Sequence, residues 1–377
     1  MLSACSSPDS NQQQQAAKSS SLAELGEKVF HDPSLSANGH MSCATCHDKQ
    51  HAFAQANPEA VAFGGPGLDQ PGLRNTPSLK YLGVTPAFYF DAEGTPTGGF
   101  TRDGRANNFA EQAIRPFITS FEMANTSASD VADKLAHASY ANDFKKLFGD
   151  DVFADADKTF AAARQALQAY QSQDPDFAPF TSKYDYFLDG KAKLTDQELR
   201  GLALFNNPDK GNCAGCHPSA RVNGKAPLFT DFTYDNLGVP RNKDIAANND
   251  PTYFDLGLCG PMREDLADRT DLCGAFKVPT LRNIALTAPY FHNGKFNTLT
   301  EVVSFYVRRD TNPEEFYPIG NDGLPDKFDD LPVGLRTNVN TTEVPYNRRE
   351  GDAPALSVNE IDDVVAFLKT LTDGYQP

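Results

Sequence analysis

The period of the apolar positions predicts helices along most of the chain and almost no strands. In LSVNEIDDVVAFLKTL, Ile361, Val364, Val365 and Leu368 fall at i, i+3, i+4 and i+7, a spacing that gathers apolar side chains on one helix face. Ser357 and Glu360 stand ahead of them as a capping box. Asp130 to Phe148 and Ala154 to Gln171 carry the same period, and the prolines of QDPDFAPF end the second run. Alternation of apolar with polar residues is scarce, so the predicted fold class is mainly α with long loops. No apolar run reaches the ~18 residues that a membrane span needs.

Two stretches repeat one another. LGEKVFHDPSLSANGHMSCATCH and RGLALFNNPDKGNCAGCH each run from a short amphipathic helix ending in Phe, through a polar turn, into Cys-x-x-Cys-His. That box is a c-type haem attachment signal: two thiols add across the porphyrin vinyl groups and the adjoining histidine binds iron from one face. Zinc knuckles or redox dithiols also use Cys-x-x-Cys, but neither explains a histidine after both copies. Cys43, Cys46 and His47 therefore hold one covalent haem, and Cys213, Cys216 and His217 a second. The duplication predicts two cytochrome c-like haem domains packed together. They are expected at 23–190 and 191–377, with the boundary near Gly190, where LTDQELRGLALF opens a new helix.

The haem boxes and the start of the chain point outside the cytoplasm. Covalent haem attachment takes place beyond the bacterial inner membrane, which makes the expected compartment the periplasm. Residues 1–22 read as a lipobox remnant, Leu2-Ser3-Ala4-Cys5, followed by a Ser-, Gln- and Asn-rich disordered tether; a chance cysteine near the start is the alternative. The only membrane link expected is a lipid on Cys5. A net charge of −16 disfavours nucleic acid as a partner. Of the 7 cysteines, Cys259 and Cys273 remain once the haem boxes and Cys5 are set aside. In an oxidising compartment they form a disulfide most simply, with free buried thiols as the alternative.

These motifs, with RNTPSL, DGRANNFAEQAIRPFITSFEM, KVPTLRNIALTAPYFHNG and FLKTLTDG, resemble the bacterial di-haem cytochrome c peroxidases and their relative MauG over nearly the whole chain after the tether. The resemblance implies a peroxide site at the N-terminal haem. Classical peroxidases of the family place a second, removable histidine on the loop after that haem box, but EAVAFGGPGLD has none. His51 is too near in sequence, and His31 and His40 precede the box. An open, five-coordinate iron of the MauG kind is expected. In the family register Gln112, Pro116 and Glu122 line its open side, with Glu122 as the acid and base that peroxide cleavage needs. A solvated loop carboxylate is the plainer reading of Glu122.

The resemblance supplies the second ligand of the C-terminal haem at a fixed distance after PYFHNG, as Met in peroxidases and Tyr in MauG. Counting from His292 reaches Tyr306, with Met123 and Met262 as rivals and core packing as the plainer role of the tyrosine. A phenolate is a hard anionic donor that favours high iron oxidation states, whereas a thioether favours ferrous iron. His292 itself is expected close to the haems as a hydrogen-bonding residue and not an iron ligand. One calcium ion is also implied, on the Asn75 side chain and the Thr287 and Pro289 carbonyls. The family's inter-haem Trp is missing: the chain has no Trp, and Arg102 aligns there. Phe100, Tyr89 or another aromatic would then relay charge.

The function implied is a MauG-like reaction: hydrogen peroxide reacts at the His47 haem, both irons store the oxidising equivalents, and a residue of a partner protein is oxidised. MbnH-like members, which modify a partner's tryptophan, are one relative. The alternatives are a cytochrome c peroxidase drawing electrons from a small cytochrome or copper protein, and a non-enzymatic di-haem electron carrier with both irons six-coordinate.

Overall fold

The computed structural model describes residues 10–377, with side chains from Ser21 onward. Leu2 to Cys5 lie outside the described residues. The fold is mainly helical, and the paired strands are two residues long, as in Tyr89–Phe90 against Pro96–Thr97 and Tyr234–Asp235 against Phe276–Lys277. No helix among the described residues is long and apolar enough to cross a membrane.

The chain forms two compact units that are not consecutive halves. One takes residues up to Thr45, Phe63–Gln70 and Asn108–Phe177; the other takes Cys46–Ala62, Pro71–Asn107 and Ala178–Pro377. The division differs from a cut at Gly190 because buried polar contacts bind the 71–107 segment to the C-terminal part of the chain. Arg74 clamps Asp255 with Nε and Nη2 at 2.6 and 2.7 Å and reaches Asp103 at 2.7 Å. Tyr81 donates to Asp373 at 2.7 Å. None of these pairs follows from the apolar period.

In the first unit, the Ser10–His31 helix packs on the Ala156–Gln173 helix. Helix already runs through residues 10–22, where a disordered tether was expected. Gln and Ala between positions 12 and 17 are good helix formers, and the buried face at Leu25, Val29 and Phe30 gives the helix a packed end from which to extend. The second unit repeats this crossing. Its Asp196–Asn206 helix starts from a Thr195/Glu198 capping box and packs on Val358–Lys369, which Ser357 and Glu360 cap. Ile361, Val364, Val365 and Leu368 are buried there.

Each crossing turns on one glycine. A Cβ on Gly26 would collide with the Ala166 carbonyl, and one on Gly201 with the Asp363 carbonyl. The two hold equivalent places in LGEKVF and RGLALF, and the phenylalanines that end those runs, Phe30 and Phe205, are each 1% exposed. An internal helical glycine ordinarily gives up about 1 kcal/mol against alanine, so the backbone contact must outweigh that loss.

Gly26→Ala and Gly201→Ala should therefore destabilise, by about 1–3 kcal/mol, against the gain that helix propensity alone predicts. Thermal unfolding of the haem-loaded protein checks the sign; a raised melting temperature in both variants would rule out the crossing as the reason for these glycines.

Candidate functional site

The second haem box opens after the Asp196–Asn206 helix, at Asn212, whose φ of +48° puts it in the left-handed region. Its Nδ2 donates to the Val344 carbonyl at 3.0 Å, which fixes the turn into Cys213. The backbone NH of His217 donates to the Cys213 carbonyl at 2.9 Å, so the histidine follows its two thiols through one tight turn. His217 Nδ1 lies 2.7 Å from the Phe229 carbonyl. A carbonyl can only accept, so Nδ1 carries the proton and Nε2 keeps its lone pair. Burial lowers the ring's pKa, although the Phe229 and Pro279 carbonyls oppose it, and the neutral imidazole is the form that ligates iron.

His47 repeats the arrangement. Its Nδ1 lies 2.8 Å from the Phe53 carbonyl, and Pro77 takes the place of Pro279. Phe53 and Phe229 both adopt left-handed backbone, at φ +55° and +54°, and both are buried. These carbonyls orient the two histidines, and the apolar pattern gave no sign of them. Comparing the segments after the two boxes would have been the signal.

Below Phe229 lies a buried ion pair. Arg282 clamps Asp185 at 2.9 and 2.8 Å and donates Nε to the Pro227 carbonyl at 2.8 Å. Its guanidinium also covers the Tyr81 and Phe180 rings.

A cavity of about 680 Å³ opens beside the second box, with an apolar wall that includes Leu299, Val303 and Leu368 and with Cys213, Cys216, His217 and Tyr306 on its surface. Burial pushes both thiols up to about 12, so they are protonated. The size, the apolar wall, the paired thiols and the Nε2 left free on His217 fit a haem c. Tyr306 belongs to the Leu299–Arg308 helix and stacks on Phe291 at 5.8 Å. Burial, with Cys216 and Asp235, holds its phenol above the ordinary value. No methionine lines this cavity. Met123 is buried in the first unit, and Met262 instead accepts from Arg105 at 3.7 Å.

His292 faces the same cavity but lies flat on Phe276, with ring centroids 3.7 Å apart, and its Nε2 is 3.7 Å from Asp330. His31 and His40 are exposed, and His51 Nδ1 is 3.0 Å from the Asp48 carboxylate. Cys259 and Cys273 are joined by a disulfide.

In the first unit Gln112 ends the Phe109–Gln112 helix and Pro116 lies in Ile114–Ile118. The Met123 NH donates to the Pro116 carbonyl at 3.0 Å, and the Glu122 carbonyl accepts from Gly65 at 2.8 Å. The turn is tied further by Asn125, which donates to the Phe117 and Leu35 carbonyls at 2.8 Å. The Asn108-capped start of this segment matches the Thr298-capped helix of the second unit, with Glu111 and Glu301 each three places on. Eight places after the cap, one copy has Pro116 and the other Tyr306.

The expected calcium residues do not fit that ion. Asn75, Thr287 and Pro289 share the cavity lining, but Asn75 Oδ1 accepts from Arg102 Nη2 at 2.7 Å and the Asn75 carbonyl from Arg102 Nε at 3.1 Å. A guanidinium already holds the Asn75 side-chain oxygen, the one side-chain ligand meant for the metal.

A family model described as di-haem cytochrome c peroxidase matches residues 20–193. The methylamine utilization protein MauG of Paracoccus denitrificans is 37% identical over 94% of this chain and 90% of its own length. The cytochrome c551 peroxidase of Nitrosomonas europaea is 30% identical over 94% and 81%. Among solved structures, the di-haem peroxidase BthA of Burkholderia thailandensis aligns at a TM-score of 0.86 and 41% identity, covering 97% of this chain and 87% of that one. A MauG-like protein associated with microbial copper homeostasis aligns at 0.66 and 26%, covering 94% and 89%. With two haem boxes built on one plan and this likeness over nearly its full length, the chain belongs to the di-haem cytochrome c peroxidase and MauG family of oxidoreductases and takes two haem groups.

Proposed function

We propose that the protein is a periplasmic, MauG-like enzyme that uses hydrogen peroxide to oxidise a residue of a partner protein. The observation that carries this reading is Tyr306, the oxygen donor that shares the second cavity with Cys213, Cys216 and His217 where no methionine lies. Bound at the two boxes, haem supplies the redox chemistry: peroxide delivers two oxidising equivalents and leaves as water once two electrons have come from the partner. In this reading Tyr306 would hold the iron of the C-terminal haem as an oxygen donor, and a phenolate would favour high iron oxidation states over ferrous iron.

The repeat supports an open first site. Where Tyr306 stands in the second copy, the first has Pro116, whose ring offers no donor atom to iron. Glu122 would take a proton from hydrogen peroxide and return it to the departing oxygen as the O–O bond breaks. Gln112 would donate a hydrogen bond to hydrogen peroxide. Gly64 lets the Phe63–Gln70 loop lie against the main chain of Phe121 and Glu122, where a Cβ would collide with the Phe121 carbonyl, and so sets where the carboxylate sits. The disulfide between Cys259 and Cys273 and the covalent haem boxes favour the periplasm.

Low-temperature EPR of the diferric protein should show one high-spin and one low-spin signal, both lost on one equivalent of peroxide with no reductant present. If nothing changes until one haem is reduced, the cytochrome c peroxidase reading replaces this one. Glu122→Gln should slow the peroxide reaction in stopped-flow absorbance by about 10²–10⁴-fold with the melting temperature unchanged. An unaffected rate would remove Glu122 from proton transfer.

A further inference from the structure

Arg102 stands among groups that leave little room for a second cation. Its Nε and Nη2 donate to the main-chain and side-chain oxygens of Asn75. The nearest carboxylates are already engaged: Asp103 accepts from Arg74 Nη1, Arg105 and Thr101, and Asp255 accepts from Arg74 Nε and Nη2. Among the described residues Arg102 makes no ion pair of its own. Burial, then the neighbouring Arg74, brings its pKa down to about 10, so the guanidinium stays charged at neutral pH. Lys277 adds another positive group: its backbone NH donates to the Arg102 carbonyl at 2.8 Å and its ammonium to the Gly99 carbonyl.

Calcium takes six to eight oxygen ligands from carboxylates, amide and main-chain carbonyls and water. Here both Asn75 oxygens already accept from a guanidinium, and the carboxylates nearby are neutralised by other arginines. The Asn75 NH, meanwhile, donates to the His292 carbonyl at 2.8 Å, which joins the RNTPSL segment to the PYFHNG segment at the cavity wall.

We infer that Arg102 is the resident cation of this site: its guanidinium replaces a divalent ion on Asn75 and holds the Asn75–His292 junction beside the second haem cavity, so that the protein needs no calcium. Arg102 acts here as a positioning residue. The inference does not depend on which partner is oxidised, nor on Tyr306 as a ligand.

The test uses the full chain loaded with both haems. After dialysis against EGTA, calcium measured by atomic emission should be far below stoichiometric. The melting temperature and haem absorption spectrum should be the same in EGTA and in calcium chloride. About one calcium per chain, lost to EGTA together with stability, would overturn the inference. Two variants read the charge itself, both in EGTA. R102Q should lower the melting temperature by about 2–4 °C and shift the spectrum of the second haem, whereas R102K, which keeps the cation, should retain most of both. If R102K is altered as much as R102Q, positive charge is not what these oxygens require, and the inference falls.

Discussion

The second site depends on one hydrogen bond, from His217 Nδ1 to the Phe229 carbonyl. It chooses the tautomer, turns Nε2 towards the cavity and fixes the plane of the ring. A carbonyl can do this only if its own peptide is immobile. Phe229 is fully buried among Tyr184, Phe205 and Phe367, with ring centroids 5.6 to 6.3 Å away. Two residues earlier, the Pro227 carbonyl is held by Arg282, whose remaining arms are saturated by Asp185. A buried ion pair is seldom a net gain over apolar packing, but removing one partner costs about 3–5 kcal/mol. Here the pair fixes a loop in left-handed backbone that few phenylalanines adopt. The first box repeats the device with His47 and Phe53, where the Ser78 hydroxyl donates to the adjacent Ala52 carbonyl at 2.5 Å.

The two copies share histidine support, helix crossing and the capped helix after the box, and they differ at one consequential place. The Leu299–Arg308 helix runs unbroken and carries Tyr306 on its face to the cavity. Its counterpart is broken into Phe109–Gln112 and Ile114–Ile118. Proline lacks the NH that would close the helical bond to the Gln112 carbonyl, so Pro116 removes a donor side chain and interrupts the helix together. One difference within a duplicated scaffold therefore gives the second site an oxygen donor that the first lacks.

The haem boxes, the helical class, the terminal helix and the leftover cysteine pair were legible because each depends on local spacing. The Gly26 and Gly201 contacts were in plain view as a repeat, but a glycine in a helical run does not say what backbone lies across from it. The compact units were not legible. They depend on Arg74 with Asp255, and on Tyr81 with Asp373, pairs formed by residues far apart in sequence and carrying no periodic signal. The helix through residues 10–22 was hidden by composition, because Gln and Ser there read as low complexity while the packing that extends the helix begins only at Leu25. The resemblance assigned the Asn75 side chain to calcium, and nothing in the sequence said that Arg102 would take its oxygen instead.

That claim also bears on redox balance at the second haem. An indole between two haems can lose an electron and pass the vacancy on; a guanidinium cannot, and it brings a fixed positive charge to the cavity wall with Lys277 close by. Positive charge near a metal disfavours its further oxidation, while an anionic phenolate ligand favours it. On the proposed reading, Tyr306 and Arg102 act in opposite senses on one iron. On that reading the tyrosine would supply the stronger effect as a direct donor to the metal, and the arginine would leave the stored equivalent more oxidising than the ligand alone would make it. Without a tryptophan to share the charge, delivery to a partner would on that reading rest on the aromatic side chains that remain, among them Tyr234 on the cavity wall and Phe88 at 5.9 Å from it, next to the exposed Tyr89 and Phe90.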